Sequence, residues 1–495
     1  RCMMITILGL GPGNPQHLTQ EAWEVLSQAR EVYLRTSRHP TVAALPTHLA
    51  LHSFDELYET LSDFATVYET IAERIVDLGR QLPGVVYAVP GHPLVGESSV
   101  MLVLARAREE GVPVRLVAGL SYIEPVLAVL ELDGMDGLQL ADAVELAALH
   151  HPSLDPDRPA LIGQLYGQRL ASEVKLTLLN AYPAEHPVTL VRAAGTADSA
   201  VHTVALHELD HGQKVDHLTT LYVPQLPEPG GLASFQETVA RLRAPDGCPW
   251  DREQTHQSLR ATLLEETYEA LAALDEEDDD KLCEELGDVL MQVAMHVQIA
   301  TEEGTFQFAD VIGRIDAKLK RRHPHVFGDL IVQDSAEVLS NWEMIKEQER
   351  SSSGGESVHR SRLDSVPGIL PALARAQALS DRAARVGFDW TDVDGVLDKV
   401  AEEVAELRDV LAPEARAREL GDLLFSIVNV ARWLDIDAET ALRGTCDRFI
   451  GRYAAMERMA RARGVDLTDL SLAEQDALWE RSKRNETDPG WESGS

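Results

Sequence analysis

Apolar residues recur at helical spacing from residue 263 to residue 300, in the stretch LLEETYEALAALDEEDDDKLCEELGDVLMQVAMHVQIA. Intervals of three and four residues place side chains on one face of an α-helix. The acids from Asp275 to Asp280 interrupt this pattern, so the sequence predicts two helices joined by an acidic turn. Their apolar stripe consists of Leu263, Leu264, Leu271, Leu274, Leu282, Leu286, Val289 and Leu290.

Each of the two predicted helices also carries a pair of acids three residues apart. The first has Glu266 and Glu269, and the second has Glu285 and Asp288. If the helices pack antiparallel, the four carboxylates meet at the seam, where their repulsion requires protons or cations. Mg²⁺ fits oxygen ligands of this kind and usually binds together with substrate phosphates. The alternative is a solvated acidic face, which explains the DEEDDD turn but not the helical spacing.

The same arrangement occurs a second time further along the chain. In both copies, two pairs of acids at a spacing of three are followed by two basic residues at a spacing of four. Repetition of these features in one order indicates a shared function, although basic pairs are often simply solvated helix faces. The second set of acids is Glu403, Glu406, Glu419 and Asp422, and the basic pairs are Lys318 with Arg322 and Arg448 with Arg452.

The order EExxE, ExxD and a basic pair resembles the MazG family of nucleoside triphosphate pyrophosphohydrolases. The segments LRAPDGCPWDREQTHQSL (242–259) and KLKRRHPHVFGD (318–329) are similar to the flanking sequences of that family. The resemblance implies an all-α fold, dimers of intertwined helices, and metal-dependent hydrolysis of nucleoside triphosphates to monophosphates and pyrophosphate. It further implies that the eight acids bind Mg²⁺ or Mn²⁺ and that the basic pairs face the phosphates.

The two copies differ at the position seven residues after the last acid. The second copy has Asn429 there and the first has Met295. A side-chain amide donates to a phosphate or ribose or accepts from a base, and a thioether does not donate. The second copy also has Arg448 where the first has Lys318. A planar guanidinium group with several donors there replaces the compact ammonium group of lysine. Because family members often carry Asn in the competent copy, we predict that the second copy is catalytic and the first binds metal.

Before these helices, short β-branched stretches alternate with amphipathic helices. The stretch MITILGLGPGNP (4–15) is an apolar strand ending in a glycine loop, and similar stretches occupy 83–100 and 112–126. The alternation predicts an α/β domain over residues 1–224. A glycine loop after a strand lets bare backbone approach a polar ligand, but ordinary turn geometry explains such glycines as well.

These stretches resemble the tetrapyrrole methylase family over roughly the first 220 residues. The resemblance implies binding of S-adenosylmethionine and methyl transfer from it. Family methyltransferases typically carry Asp where this chain has His92, which argues against methyl transfer itself. A separate, non-enzymatic alternative is that the domain senses a small ligand and regulates the hydrolase. His39, in RTSRHP, is interpreted as a turn or capping residue rather than a catalytic one. The implied cofactor-binding residues are Gly9, Gly11, Gly13, Gly91, His92, Pro93, Gly119 and Ser121.

Two linkers rich in Pro, Gly or Ser, at 223–232 and 351–362, divide the chain into three predicted domains. These are an α/β tetrapyrrole methylase-like domain (1–224) and two all-α MazG-like domains (233–350 and 363–485).

The formal charge of −36 argues against nucleic acid as a partner, because its phosphates require Lys and Arg. The scattered cysteines, Cys2, Cys248, Cys283 and Cys446, are typical of a reducing cytoplasm. No apolar run approaches the roughly 20 residues of a membrane span. We therefore expect a cytoplasmic homodimer that acts on a nucleoside triphosphate, with neither nucleic acid nor membrane as a partner.

Overall fold

The computed structural model describes residues 3–61, 63–335, 361–410 and 412–486, together with 337, 338, 341, 342, 344, 345 and 349. Most of the predicted second linker (351–362) and the chain after 486 lie outside the described residues. The chain divides into two compact units, Arg1–Leu319 and Lys320–Ser495.

The first sheet of the N-terminal unit is parallel throughout. Its strands are β1 (Ile5–Gly9), β2 (Glu31–Leu34), β3 (Ala50–Ser53), β4 (Val85–Val89) and β5 (Val114–Val117). They lie in the order β3-β2-β4-β1-β5, so the carboxyl ends of β4, β1 and β5 are neighbours. The interior strand β1 is buried throughout, as expected for a parallel sheet covered by helices on both faces.

A second sheet follows in the same unit. Its strands are β6 (Gln139–Asp142), β7 (Ala160–Gly163), β8 (Pro187–Arg192), β9 (Ala200–Ala205) and β10 (Thr219–Val223), in the order β6-β7-β10-β8-β9. The β6–β7 pair is parallel and the other pairs are antiparallel. The predicted α/β fold is confirmed. The helices of this part are α1 (Gln20–Gln28), α2 (Asp55–Thr60), α3 (Phe64–Gly79), α4 (Ser98–Glu109), α5 (Ile123–Leu130), α6 (Ala143–Ala147) and α7 (Gln168–Leu178).

The rest of this unit is helical. Its helices are α8 (Leu232–Arg243), α9 (Pro249–Glu253), α10 (Arg260–Asp275), α11 (Asp279–Glu302) and α12 (Phe308–Arg322), whose last turn falls in the second unit. The acidic turn is shorter than predicted, because Asp278 caps α11 by accepting a hydrogen bond from the Lys281 N–H at 3.0 Å. Asp279 and Asp280 then form the first turn of α11, where the helix dipole favours negative charge.

The second unit is helical where it is described. Its helices are α13 (Pro324–Phe327), α14 (Ala372–Ala384), α15 (Val393–Asp409), α16 (Pro413–Trp433), α17 (Ala438–Ala462) and α18 (Leu472–Glu486). Helix α15 packs along α16 as α10 packs along α11, so the repeated sequence pattern is a repeated helix pair. Within the described ranges, no helix is long and apolar enough to cross a membrane.

Candidate active site: two acidic helix pairs

In the first copy, α10 and α11 bring three of the predicted acids together. Carboxylate oxygens of Glu266, Glu285 and Asp288 lie within 4.8 Å of one another, and all three side chains are half-buried. Burial, and then the negative charges of Asp288 and Glu269, raise the pKa of Glu266. Glu269 is exposed and outside this group, but after burial its charge also contributes most to the raised pKa of Glu285.

In the second copy, a different three of the four predicted acids converge. Oxygens of Glu403, Glu406 and Glu419 lie within 4.8 Å of one another, whereas Asp422 is exposed and outside the group. Glu403 is only 4% exposed, and its Oε2 atom has no hydrogen-bond partner. Burial, followed by the charges of Glu403 and Glu419, raises the pKa of Glu406. The second group therefore contains one buried carboxylate, on Glu403, beside the exposed Glu406 and the half-buried Glu419.

Lys399 supplies positive charge beside the second group of acids, and sequence reasoning missed it. Its Nζ atom lies 2.8 Å from Glu403 Oε1 and 3.1 Å from Glu402 Oε1. The hydrogen bonds to Glu403 and then Glu402 raise the pKa of this lysine. The spacing alone indicates this ion pair, because Lys399 precedes Glu403 by four residues on one helix. The matching position of the first copy is Thr262.

Both groups of acids have the chemistry of a divalent-cation site. They consist of carboxylate oxygens, which hard cations prefer. Burial, and then the repulsion between the carboxylates, raises the pKa of Glu266, Glu285 and Glu406, and a cation would relieve that repulsion. The buried Oε2 of Glu403 adds a second argument, because a buried acceptor without a partner is costly. The residues present therefore fit the metal that the sequence predicts.

The basic pairs have different surroundings in the two copies. In the first, Lys318 is exposed, while Arg322 pairs with Glu349 Oε2 at 2.7 Å and lies over the Trp342 ring at 5.8 Å. The hydrogen bonds from Arg322 and then Arg321 lower the pKa of Glu349 to about 2.

In the second copy, Arg448 is exposed and donates to Thr445 Oγ1 at 2.8 Å, and Arg452 lies over the Trp479 ring at 5.7 Å. The matching of Arg448 with Lys318 is wrong by one helical turn, because Lys318 follows Asp288 by 30 residues and Arg448 follows Asp422 by 26. Arg452 is the residue at the matching distance. A role of both pairs toward phosphates stays a prediction.

Asn429 is buried on α16, seven residues after Asp422. Its Nδ2 donates to the Phe425 carbonyl at 3.2 Å, and its Oδ1 accepts from Arg432 Nε at 3.3 Å. Arg432 is in turn held by Asp389, whose Oδ2 accepts from its Nη1 at 3.0 Å. The predicted substrate-facing amide is therefore part of a polar network that joins α16 to the segment before α15. In the first copy, Met295 lies in an apolar core with Val239 and Ile299.

The predicted cofactor loops converge at the carboxyl ends of β1, β4 and β5. Gly11 and Gly91 pair with each other in the loops that follow β1 and β4, since the Gly91 N–H donates to the Gly11 carbonyl at 2.8 Å. A Cβ atom on Gly119 would lie 2.9 Å from the Gly9 Cα atom, so close loop packing explains both glycines.

The other predicted cofactor residues lie around the same loops. Gly13 has a positive φ of 126°, and Pro93 is buried. The Nδ1 atom of His92 accepts from the Leu94 N–H at 3.1 Å, and Ser121 is buried with its hydroxyl 2.6 Å from Glu124 Oε2. Cofactor binding by these residues stays a prediction.

Two families match this chain, in the order that the sequence predicts. The MazG nucleotide pyrophosphohydrolase domain matches residues 254–327 and 393–456, which contain both acidic helix pairs. A nucleoside triphosphate pyrophosphohydrolase/pyrophosphatase MazG from Thermotoga maritima is 44% identical over 252 residues, 50% of this chain and 95% of the relative. The chain belongs to the MazG family.

The tetrapyrrole (corrin/porphyrin) methylases match residues 4–210, so the second resemblance is also confirmed. The uncharacterized protein YabN from Bacillus subtilis is 43% identical over 491 residues, 97% of this chain and 99% of YabN, and therefore has the same fused arrangement. A crystal structure of uroporphyrin-III-C-methyltransferase from Thermus thermophilus matches with a TM-score of 0.36 and 25% identity, over 45% of this chain and 92% of that chain.

Proposed function

We propose that this protein hydrolyses nucleoside triphosphates to monophosphates and pyrophosphate at the acidic helix pair of the second copy, as in house-cleaning of the nucleotide pool. The observation that carries the proposal is the group Glu403, Glu406 and Glu419, with its buried, partnerless Oε2 atom. A bare cluster of this kind repels a triphosphate, so the acids require a cation to bind the substrate.

We propose Mg²⁺ or Mn²⁺ as the cation, held by Glu403, Glu406 and Glu419, with the equivalent group holding it in the first copy. When bound, the cation neutralises phosphate charge and lowers the pKa of a water molecule. Asp422 is exposed on the same helix as Glu419 and outside the converging group, so its carboxylate is available to orient that water.

Arg448 and Arg452 supply the positive charge of the proposed reaction. They lie one helical turn apart on α17, and side chains at this spacing share a face. Guanidinium groups bind phosphate oxygens in a bidentate manner, which offsets the charge that develops on the leaving pyrophosphate. In the first copy, the basic pair Lys318 and Arg322 would take this part, with Lys318 at the distance from the last acid that Arg452 has in the second copy.

A panel of canonical and noncanonical nucleoside triphosphates, assayed with Mg²⁺, tests the proposal. We expect monophosphate and pyrophosphate in equal amounts, and loss of turnover in EDTA that added Mg²⁺ or Mn²⁺ restores. Release of orthophosphate in place of pyrophosphate, or full turnover in chelator, would refute it.

We further propose a homodimer in the cytoplasm. Leu264, Leu286 and Leu290 of the predicted apolar stripe are each more than 40% exposed, so the α10–α11 pair leaves apolar surface that a second chain can cover. The described cysteines are free thiols, in keeping with a reducing compartment. Sedimentation of the full chain tests the dimer, and a monomer at micromolar concentration would contradict it.

A second candidate function is methyl transfer from S-adenosylmethionine by the N-terminal domain. The convergence of the loops around Gly9, Gly91 and Gly119 favours it, because ligands of open parallel sheets bind at the carboxyl ends of the strands. Labelled S-adenosylmethionine tests methyl transfer. Pyrophosphate release with and without this cofactor tests the alternative, in which the domain senses a ligand and regulates the hydrolase.

A further inference from the structure

Two histidines of the first copy meet next to its acidic helix pair and take no part in the proposed reaction. His256 lies in the segment between α9 and α10, and His296 lies on α11. Their Nδ1 atoms are 2.8 Å apart, and both side chains are half-buried. This histidine pair therefore joins the segment that leads into α10 to the neighbouring helix α11.

The contact is a hydrogen bond in the plane of both rings. The two ring planes are only 8° apart, and the ring centroids are 5.1 Å apart. Parallel rings stacked face to face would have centroids much closer together, so the two Nδ1 atoms lie on the line between the centroids. One imidazole therefore donates its Nδ1–H, and the other accepts with its Nδ1 lone pair. A metal ion on this line would need about 2.0 Å to each nitrogen, which the Nδ1–Nδ1 distance does not allow.

This hydrogen bond tolerates one additional proton but not two. A first proton on the outer nitrogen of the donating imidazole leaves the bond intact and strengthens it by adding charge to the donor. A second proton would occupy the accepting Nδ1 atom. Two N–H groups and two positive charges would then face each other at 2.8 Å. Protonation of both rings therefore breaks the contact.

The surroundings favour His256 as the donor and His296 as the acceptor. His256 Nε2 lies 3.9 Å from Glu303 Oε2, at the carboxyl end of α11, where the helix dipole also favours positive charge. Burial, and then the charge of His256, lower the pKa of His296 from the ordinary value of 6.5. The stabilisation by neutral His296 is therefore present above pH 6.5 and is lost as pH falls through the lowered value.

The other ion pair at this segment does not change its charge in the same pH range. Arg243 of α8 donates to the carbonyls of Asp251 and Gln254 and pairs with Glu302 Oε2 at 2.8 Å. The hydrogen bond from Arg243 lowers the pKa of Glu302, so this pair stays charged where imidazole takes up a proton.

The remaining neighbours of the segment are apolar, carboxylate or guanidinium groups. Leu259 is buried in the apolar core with Met295. The charged residues next to the segment on α9 and α10 are Asp251, Arg252, Glu253 and Arg260. Carboxylate and guanidinium groups titrate outside the range of imidazole, so the histidine pair is the contact here that responds near neutral pH.

We propose that the hydrogen bond between His256 and His296 is an acid-sensitive contact that holds the first acidic helix pair closed. Above the histidine range it ties the start of α10 to α11, and below that range the segment opens more often. Opening changes the spacing of the acids, because α10 carries Glu266 and α11 carries Asp288. The second copy has Val430 at the position of His296, eight residues after its last acid, so it does not share this response. The proposal holds with or without the proposed hydrolysis.

Hydrogen–deuterium exchange of the full chain tests the contact, with EDTA present to keep metal out of the measurement. Protection factors of the amides of residues 254–264 are compared at pH 7.5 and pH 5.5, each relative to the intrinsic exchange rate at that pH. We expect protection in the parent protein to fall about fivefold at the lower pH, because the opened segment takes up protons that the closed one excludes.

His296→Gln keeps a side-chain oxygen that accepts from His256 but takes up no proton, so its protection should fall less than about twofold. His256→Gln donates from an uncharged amide and should reduce the response in the same way. His48→Gln is the matched control, because it removes an exposed histidine of the N-terminal domain, and it should keep the response of the parent protein.

Unchanged protection of residues 254–264 in the parent protein between the two pH values would overturn the proposal. A response of equal size in the parent and in either glutamine variant of the histidine pair would overturn it too, by assigning the pH dependence to other groups.

Discussion

The two copies of the acidic helix pair carry the same four acids at matching positions but surround them differently. In the second copy, Glu403 is buried beside Lys399, whereas in the first, Glu266 is half-buried and Thr262 occupies the position of the lysine. Like charges are buried together only where a counter-charge offsets the cost. Lys399 is thus an internal cation of the second site, paired directly with Glu403. In the first copy, Lys281 pairs with Glu276 at 2.8 Å and lowers the pKa of Glu285 less than burial and the neighbouring acids raise it.

The largest expected effect separates the copies by catalysis. Glu403→Gln is nearly isosteric but removes the charge that a metal requires, so we expect kcat to fall at least about 100-fold. Glu266→Gln makes the same change in the first copy and should leave most of the activity. Both variants are to be compared under saturating metal and substrate, by pyrophosphate release.

The reverse result, with Glu266→Gln inactive and Glu403→Gln active, would assign catalysis to the first copy. Asn429 would then not be the residue that distinguishes the copies. Equal losses in both variants would show that the two sites work together.

The sequence predicts the helix pairs and the families because these depend on local spacing. It does not predict which three acids converge, since Asp288 and Asp422 have the same spacing and only the first lies within its group. The packing of one helix on the other decides which three acids converge. No rule of local spacing predicts the ion pair between Arg35 and Glu97, because the fold brings together two residues that lie 62 positions apart in the sequence.

A second comparison concerns the ion pairs that join each acidic helix pair to the part of the chain before it. In the second copy, Asp389 accepts from Arg432 and from Trp433 Nε1 at 3.1 Å; in the first, Arg243 donates to Glu302 Oε2 at 2.8 Å. We expect Asp389→Asn to lower the free energy of unfolding of its unit by about 2 kcal/mol, since hydrogen bonds to charged groups contribute 1.5–3.

Glu302→Gln should cost about 1 kcal/mol or less, because this carboxylate is 39% exposed. The hydrogen bond from Arg432 lowers the pKa of Asp389, so its stabilisation is present above the ordinary value of 3.8 and is lost as pH falls through the lowered value. Thermal unfolding of the parent protein and both variants, at pH 7 and at pH values below 3.8, measures the difference. A larger loss for Glu302→Gln would contradict the ranking.

Asn429 is the third point of comparison. Asn429→Leu keeps the side-chain volume but removes the amide, so we expect kcat to fall about tenfold if the amide serves the reaction. The measurement is kcat together with the melting temperature. A lower melting temperature with unchanged kcat would show that Asn429 only holds Arg432 and the Phe425 carbonyl. Gln298, the first-copy counterpart of Arg432, gives the matched control in Gln298→Leu, which should leave kcat unchanged.

The smallest expected effect concerns the internal cation. Lys399 lies 2.8 Å from Glu403, so a metal ion must bind next to a positive charge or displace it. Lys399→Met removes this competitor, and the Mg²⁺ concentration for half-maximal activity should fall roughly two- to fivefold, the scale of a partly exposed ion pair. High salt should reduce the shift, because it screens the lysine in the parent protein.

Thr262→Lys places the same charge at the matching position of the first copy and should leave the Mg²⁺ dependence of turnover unchanged if the second copy is catalytic. A rise in the required Mg²⁺ in Thr262→Lys, with no change in Lys399→Met, would instead show that the first copy binds the catalytic metal.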